Sequence, residues 1–380
     1  MRTKVLIAAL TLALLPAAPA VAGRGTTLQH DADTIRAVGV TGVLARATTP
    51  AGTRTAVSGV ADLATGQPVR PDGYFRIGST NKTLVATVVL QLVGERRMRL
   101  DDPVEKWLPG FVRGNGYDSN RITVRHLLQH TAGIYDGNFP VIETADQYYE
   151  QRYDARSEVE VVKAGLSHPP DFQPGGGWKY SNTGYNLVGL VIKAVTGRPW
   201  YAEVERRIIR PLSLSHTYWP GADPRIRAAH ANGYTRFAAG EPLIDTTELV
   251  DADASGGFIS TLADLDTFQR ALFGGRLLRK AQLAEMTQAR PVEGSATEIW
   301  KDARYGLGIF SRELACGGRV WIPGGDQIGY RTRLGVTGDG RRSAVVSMST
   351  QLYDSLEVIY AQEGAATKLI DNALCRRHGH

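Results

Sequence analysis

Apolar residues recur at helical spacing directly after a serine in the first quarter of the chain. Residues 79–93 therefore predict a well-buried helix. The pattern places Ser79 at or beside the N-terminus of this helix, where backbone N–H groups and the helix dipole can stabilise an anion. The residues that share the apolar face are Leu84, Val85, Val88, Val89, Leu92 and Val93.

Strand patterns occur near both ends of the chain. Residues 38–47 and 54–63 are rich in β-branched side chains, and the Pro50-Ala51-Gly52 turn between them predicts a hairpin. Towards the C-terminus the sequence predicts helices over 262–273 and 355–374, with four strands between them. These strands are expected around 305–310, 319–322, 331–336 and 343–347.

The central part of the chain has a different pattern. Short apolar helical segments at 125–128, 159–166 and 184–195 alternate with polar and Gly/Pro-rich loops, and strand signals are few. The whole pattern predicts an α/β (α+β) fold, in which a mixed antiparallel sheet flanked by helices is made from both termini. The expected divisions are 24–100 with 255–380 for the sheet domain and 101–254 for a mostly helical insertion.

The first 22 residues have the layout of a secretory signal peptide. Arg2 and Lys4 precede an apolar run at 5–15, and Ala20-Val21-Ala22 is a small-x-small cleavage site. The run is too short to span a bilayer comfortably, and no later stretch is long enough for a transmembrane helix. We therefore expect a secreted, extracytoplasmic protein that has no stable membrane anchor after cleavage and can associate with the cell wall.

The two cysteines and the charge distribution indicate the cellular compartment and the kinds of partner that this protein can have. Cys316 and Cys375 can pair in an oxidising compartment, which closes a loop of roughly 60 residues and contributes about 4 kcal/mol; two unpaired thiols are the alternative. The formal net charge is +6, but the arginines are scattered and form no basic stripe between aromatics. We therefore expect no nucleic-acid partner. The sequence does not indicate an oligomeric state.

The serine that opens the predicted helix is followed three residues later by a lysine. Ser79 and Lys82 form the only Ser-x-x-Lys in the chain, and residues at i and i+3 lie on one helix face. A serine hydroxyl becomes a good nucleophile when a neighbouring base takes its proton, and a lysine can be that base if burial lowers its pKa. The alternative is a helix-capping serine beside a solvated lysine.

A second polar motif lies in the central part of the chain. Tyr180-Ser181-Asn182 contains the only Tyr-x-Asn in the sequence. A loop of this kind can direct a phenol that relays a proton and an amide that binds a peptide-like carbonyl into one cleft. Taken alone, it also fits an asparagine at a helix start beside a buried tyrosine.

These motifs resemble those of the serine β-lactamase and D-alanyl-D-alanine carboxypeptidase superfamily, on its class C side. The likeness extends to Leu100-Asp101-Asp102-Pro103-Val104, to "ITVRHLLQHTAG" at 122–133 and to "ASGGFISTLADL" at 254–265. It covers about residues 35–375. The resemblance implies a fold of two parts with the active site in the groove between them, and no metal or organic cofactor.

The resemblance also implies residue roles. Ser79 is the expected acylated nucleophile, Lys82 its proton partner and Tyr180 the general acid/base. Asn182 is expected to donate a hydrogen bond to the substrate. The backbone N–H of Ser79 is expected to form half of the oxyanion hole.

The sequence departs from the family at its third motif, which is usually Lys-Thr-Gly or His-x-Gly on a strand that lines the cleft. The matching residues are Pro323-Gly324-Gly325-Asp326. Proline has neither a charge nor an N–H, so it cannot hold a substrate carboxylate. We expect Gly324 and Gly325 to line the substrate site and the Asp326 N–H to complete the oxyanion hole. Arg331 or Arg312 is a candidate for the missing cation.

Three functions remain open from the sequence. The leading one is a D-alanyl-D-alanine carboxypeptidase that acts on cell-wall peptides through an acyl-enzyme at Ser79. An esterase or class C-like β-lactamase can use the same residues, and a small ester needs no carboxylate-binding cation. A non-hydrolytic protein that binds wall peptides or β-lactams is the alternative that Pro323 supports.

Overall fold

The computed structural model describes residues 27–137 and 142–375. The predicted signal peptide at 1–22 lies outside these residues. The described part of the chain contains no helix that is both long enough and apolar enough to cross a membrane.

The α-helices of the described residues begin and end as follows. They are α1 (Thr27–Ala37), α2 (Asn81–Gly94), α3 (Val104–Trp107), α4 (Val124–Leu128), α5 (Ala145–Gln151), α6 (Glu158–Leu166), α7 (Asn182–Thr196), α8 (Trp200–Val204), α9 (Arg210–Leu212), α10 (Leu262–Phe273), α11 (Lys280–Thr287), α12 (Ser295–Ile299) and α13 (Leu356–Leu374). A 3-10 turn (Gly78–Thr80) leads into α2, and a π-helical turn (Glu205–Ile209) joins α8 to α9.

The strands are given in chain order. They are β1 (Gly42–Thr49), β2 (Gly52–Gly59), β3 (Tyr74–Arg76), β4 (Arg113–Gly114), β5 (Tyr117–Asp118), β6 (Tyr234–Arg236), β7 (Ile244–Asp245), β8 (Ile259–Thr261), β9 (Arg290–Pro291), β10 (Arg304–Tyr305), β11 (Phe310–Glu313), β12 (Arg319–Ile322), β13 (Gly324–Gln327), β14 (Tyr330–Thr337), β15 (Ser343–Met348) and β16 (Thr350–Leu352).

One large sheet joins the two ends of the chain. Its strand order is β2-β1-β15-β14-β12-β11-β10-β9, with β13 paired to β14, and these pairs are antiparallel. The predicted hairpin is confirmed, because β1 and β2 pair on either side of the Pro50-Ala51 turn. The predicted fold class is confirmed as well, since an antiparallel sheet with flanking helices is built from both termini.

The alternation of side chains along each strand gives the sheet a core on each face. Val43 and Ala45 of β1 pack with α1 and α13, whereas Leu44 between them packs in a second core with α2 and α10. Helix α2 is buried along almost its whole length. The segment that carries Ser79 is therefore held rigidly in the centre of the molecule.

The central region is mostly helical, although it is not all helix. It contains α3 to α9, and β6 pairs with β7 and runs parallel to β16 near the C-terminus. The boundaries of the helical insertion at 101 and 254 stay a prediction.

The predicted strand at 305–310 is wrong. The structure has two short strands, β10 and β11, with a loop between them. Gly308 has φ +77°, and a Cβ there would lie 2.8 Å from the Lys82 carbonyl oxygen, so the chain turns against α2. Leu307 and Ile309 gave a strand-like pattern because they are buried in the core of that loop.

A disulfide closes the C-terminal part of the fold. Cys316 and Cys375 are bonded, with a Cα–Cα distance of 5.8 Å and a sequence separation of 59. The pairing expected from the sequence is therefore present. It joins the turn between β11 and β12 to the end of α13.

Candidate active site

Ser79 lies in the 3-10 turn between β3 and α2 and is half-buried. The turn depends on Gly78, whose φ is +51° and whose added Cβ would lie 2.5 Å from the Asp326 carbonyl oxygen. Glycine accepts this conformation and this close approach, whereas a side chain would not. The turn is thus pressed against β13 with the Ser79 hydroxyl at the cleft.

Lys82 is buried directly behind the serine, at 1% exposure. Its ammonium donates to Ser79 Oγ at 3.0 Å, to Asn182 Oδ1 at 2.7 Å and to the Ser255 carbonyl oxygen at 2.9 Å. These three acceptors match the three N–H bonds of a protonated lysine. A neutral amine that keeps its bonds to Asn182 and Ser255 would direct its lone pair at Ser79.

The environment of Lys82 brings its titration close to neutral pH. Burial lowers the pKa of Lys82 to about 8, although the carboxylates of Asp253, Asp136 and Asp251 oppose the shift. In roughly a tenth of the molecules the Lys82 amine is then neutral at pH 7. The amine can therefore accept a proton under ordinary conditions.

Tyr180 lies on the other side of the nucleophile. Its hydroxyl donates to Ser79 Oγ at 2.6 Å. Burial and the neighbouring Tyr305 raise the pKa of Tyr180 well above 10, so the phenol stays protonated. His130 packs against the Tyr180 ring at 4.4 Å and accepts the Ser181 N–H, so it fixes the loop that carries this tyrosine.

Asn182 begins α7 and contacts Lys82 through its amide oxygen. Its amide nitrogen donates to Asp136 Oδ2 at 3.1 Å, and Asp136 also accepts the backbone N–H groups of Asn182 and Thr183. Both ends of the Asn182 amide are thus engaged within the protein. Its role as a substrate donor stays a prediction, and the second N–H of its amide nitrogen is the donor that this role would use.

Strand β13 forms the wall opposite α7. Because Leu334 N–H donates to the Pro323 carbonyl oxygen, alternation along the antiparallel pair points the Asp326 N–H away from β14. A Cβ on Gly325 would lie 2.3 Å from the Ser79 nitrogen, so the two backbones are in close contact. The N–H groups of Ser79 and Asp326 therefore lie at the same edge of the cleft, where two donors can bind one oxyanion.

Neither candidate for the missing third-motif cation reaches the cleft, so that expectation is wrong. Pro323 itself is buried. Arg312 forms an ion pair with Asp371 of α13 at 2.8 Å, and Arg331 lies 3.3 Å from Glu363 of the same helix. Arg331 was misassigned because the odd-numbered residues of β14 from 331 to 335 face α13 and not the nucleophile. Arg312 lies on β11 and is directed at the same helix.

The Asp326 side chain is held by a charged network. It is 43% exposed and accepts two hydrogen bonds from Arg333, at 2.7 and 3.2 Å. Arg333 in turn donates to Glu363 at 2.8 Å. Burial opposes ionisation of Asp326, but the guanidiniums of Arg333 and Arg331 outweigh it and lower the pKa of this carboxyl.

These residues open into a cleft of about 780 Å³. Its described lining contains one guanidinium, that of Arg156, and six carboxylates. The carboxylates belong to Asp154, Glu158, Glu160, Asp251, Asp253 and Asp326. Within the described residues, no group of three or more His, Cys, Asp or Glu side chains is arranged to hold a metal ion.

The structure brings Ser79, Lys82, Tyr180 and Asn182 together, but it also adds residues that the sequence analysis missed. Asp136 and Ser255 contact Asn182 and Lys82 respectively, and Asp251 and Asp253 lie beside Ser255 in the lining. The Asp-Ala-Asp just before Ala254-Ser255-Gly256 was a visible signal. The partner of Asp136 was not, since it is 46 residues away.

The sequence model of the Beta-lactamase family matches residues 25–366. The chain belongs to this family. At its cleft a lysine and a tyrosine both contact one serine hydroxyl.

Three similar proteins differ in the activities that their names state. The structure of a D-stereospecific amidohydrolase from Streptomyces sp. is 39% identical, with a TM-score of 0.79 over 88% of this chain and 97% of that one. Esterase EstB of Burkholderia gladioli is 34% identical over 44% of this chain and 43% of its own length. A putative D-alanyl-D-alanine carboxypeptidase of Escherichia coli K12 is 28% identical over 64% and 60%. The chain thus spans less than two thirds of the length of these two curated relatives.

Proposed function

We propose that the chain is an amidohydrolase that forms an acyl-enzyme at Ser79 and acts on D-amino acid amides or short D-peptides with a free α-ammonium group. The observation that carries this proposal is the charge of the cleft, whose described lining has six carboxylates and one guanidinium. Such a surface favours a cationic substrate and disfavours an anionic one.

The third motif supports the same choice. A D-alanyl-D-alanine carboxypeptidase has to bind the terminal carboxylate of its peptide, and Pro323 offers no charge for it. The two nearest arginines of β14, Arg331 and Arg333, are engaged with Glu363 and Asp326. The described lining offers a substrate carboxylate one guanidinium, that of Arg156, against six carboxylates.

The similarity to the Streptomyces amidohydrolase supports the amide bond and the D configuration. It covers nearly the whole of both chains, whereas the similarity to the esterase covers less than half of each. Carboxypeptidase and esterase activities on the same residues stay predictions that the experiment below distinguishes.

The geometry supports a specific order of proton transfers. Neutral Lys82 takes the Ser79 proton as Oγ attacks the substrate carbonyl carbon, and the N–H groups of Ser79 and Asp326 bind the resulting oxyanion. The intermediate collapses to the ester at Ser79 as the leaving nitrogen takes the Tyr180 proton and departs as ammonia. In the reverse sequence the Tyr180 phenolate takes a proton from the attacking water, and the Lys82 ammonium returns its proton to Ser79 Oγ as the ester bond breaks.

We further propose that the protein acts outside the cytoplasmic membrane. The signal-like sequence at 1–22 supports this, and so does the Cys316–Cys375 disulfide, since such bonds persist in oxidising compartments. Detection of the mature protein in the culture medium, with an N-terminus at Gly23, is the expected result; retention of all of it in the cytoplasm would contradict export.

The substrate proposal is tested by comparing acyl donors with the purified protein. We expect ammonia release from D-phenylalaninamide, little from L-phenylalaninamide, and none with Ser79→Ala. Release of D-alanine from diacetyl-L-lysyl-D-alanyl-D-alanine without amide hydrolysis would instead indicate the carboxypeptidase. Turnover of esters alone would indicate an esterase, and turnover of benzylpenicillin alone a β-lactamase. Binding without turnover of any of these would indicate a non-hydrolytic protein.

A variant at the third motif tests the substrate proposal independently. Pro323→His restores a side chain that can carry charge at this position. We expect it to leave amide hydrolysis largely unchanged and to give little carboxypeptidase activity. A large gain in D-alanine release would show that Pro323 alone hides a carboxypeptidase site.

A further inference from the structure

The segment 251–256 forms part of the cleft wall beside the nucleophile and carries a carboxylate that the proton-transfer scheme does not use. The Ser255 carbonyl oxygen accepts a hydrogen bond from Lys82, and Asp253 accepts one from the Ser255 N–H. Asp251 lies at the cleft surface. The surroundings of Asp251 therefore have to indicate its function.

Most carboxylates of the cleft already have strong partners. Asp326 is bound by Arg333, and Asp253 accepts hydrogen bonds from Ser255 and Asn186. Beside α6, Glu160 accepts the Ser157 N–H, and other side chains there satisfy the remaining carboxylates. These groups gain less from a bound cation because their charge is already compensated.

Asp251 resembles Glu158 in accepting a single side-chain hydrogen bond, but Asp251 lies next to the turn that carries Ser79. It accepts one hydrogen bond from Gln327 of β13 and, within the described residues, has no cation at ion-pair distance. The charges that face it are the carboxylate of Asp253 and the more distant Arg76 and Lys82. Burial and Asp253 raise the pKa of Asp251 to about 6, so it is mostly ionised at pH 7.

The position of Asp251 relative to Ser79 suits a substrate ammonium. A Cβ on Gly256 would lie 3.7 Å both from Asp251 Oδ2 and from the Gly78 carbonyl carbon. The Asp251 carboxylate and the turn that carries Ser79 therefore both border the space that a side chain at position 256 would fill. The α-ammonium of an amino acid amide is two bonds from the carbonyl carbon that Ser79 attacks, so an anion that binds it has to lie close to this turn.

The same segment is fixed on its other side by aromatic residues of the cleft. Trp219 Nε1 donates to the Ala252 carbonyl oxygen at 2.7 Å, and its ring stacks on Tyr201 at 3.6 Å. Asp251 is thus held between β13 and an aromatic wall. A rigid carboxylate can select a ligand group without the cost of ordering its own chain.

We propose that Asp251 binds the α-ammonium group of the substrate and determines the preference for acyl donors with a free amine. This assignment deepens the proposed function and rests on it. Asp251 is a binding residue, since it contacts the substrate but no reacting atom.

The test measures binding and does not depend on turnover. Calorimetry on Ser79→Ala at pH 7 compares D-phenylalaninamide with its N-acetyl derivative, because a terminal amine with pKa about 7.7–8 is mostly protonated there. We expect the free amine to bind ~10- to 100-fold more tightly, as for a charge-assisted hydrogen bond, and the preference to vanish when Asp251→Asn is added. The charge-matched control Glu241→Gln, an exposed loop residue outside the cleft lining, should keep the preference.

Three results would overturn the assignment. These are equal affinity for both ligands with Asp251 intact, an unchanged preference with Asp251→Asn, and no binding of either ligand. If the free amine is preferred through Asp251 but wild-type protein hydrolyses no amide, the proposed amidase activity fails while the ammonium site stands.

Discussion

At the scale of single residues, catalysis depends on how Lys82 is kept reactive. Its burial makes the ammonium costly, and Asn182 and Ser255 fix the two N–H bonds of the neutral amine. Tyr180 differs from Lys82 in keeping its proton, because burial raises the pKa of its phenol. Two groups with pKa values pushed apart on either side of Ser79 define a base and an acid.

The reaction should therefore depend on pH through Lys82. We expect kcat/KM for an ester without a titratable amine to rise with pH and to level off above about 8, because only the neutral amine accepts the Ser79 proton. Lys82→Ala should lower kcat/KM ~100- to 10,000-fold and remove the rise. A profile that falls as the pH increases from 6 to 8 would contradict this role.

The neighbouring carboxylates should shift that profile in a predictable direction. Asp253 favours the charged form of Lys82, so Asp253→Asn should lower the pKa of Lys82 and move the midpoint of the rise to lower pH. The measurement is the same kcat/KM profile, with Glu241→Gln as the control of equal charge change. An unchanged midpoint would mean that the rise reports another group.

At the scale of secondary structure elements, helix α13 helps to position β13, the strand whose Asp326 N–H lies at the cleft. Arg333 links the Asp326 carboxylate of β13 to Glu363 of α13 and also donates to the Gly325 carbonyl oxygen. A buried network of this kind fixes geometry more than it adds stability. The helix thus takes part in positioning the backbone N–H of Asp326 at the free edge of β13.

We expect Glu363→Gln to lower kcat about 10-fold with little change in KM, because a loosened β13 weakens oxyanion binding in the transition state. Glu363→Asp should restore part of the loss. The matched control is Asp371→Asn, which breaks another ion pair of the same helix, with Arg312. If both variants reduce kcat equally, the effect is one of general stability and the positioning role is wrong.

At the scale of the whole molecule, the C-terminal helix is tied to the sheet by the disulfide and by packing against α1. The bond between Cys316 and Cys375 closes a loop with a sequence separation of 59. In the chain-entropy model such a cross-link stabilises the fold by about 4 kcal/mol. Neither cysteine lines the cleft.

Replacing both cysteines by serine should therefore lower the free energy of unfolding by about 4 kcal/mol and leave kcat/KM at 25 °C unchanged. Denaturant titrations of wild type, reduced wild type and the double variant measure this. Equal unfolding free energies would contradict the stabilising role. Loss of activity in folded double variant would mean that the bond also shapes the cleft.

The fold followed from the sequence where a pattern has one physical cause. Helix α10 matches its prediction residue for residue, because its apolar face is packed against the sheet. The strand predicted at 305–310 failed because a buried loop can have the same apolar positions as a strand. Periodicity alone does not distinguish the two.

The site was predictable where neighbours in sequence act together, and less so elsewhere. Ser79 and Lys82 are one helical turn apart, so their contact followed from spacing. The engagement of Arg331 with α13 and the exposure of Asp251 depend on contacts between distant segments. No local pattern encodes such pairings.

During turnover Ser79 should be transiently acylated. Wild type and Ser79→Ala are mixed with D-phenylalanine methyl ester or with benzylpenicillin, quenched in acid within the first turnover and analysed by intact mass and peptide mapping. We expect an acyl group on the peptide that contains Ser79 in wild type, and none in Ser79→Ala. Product formation without any adduct, or an equal adduct on Ser79→Ala, would contradict it.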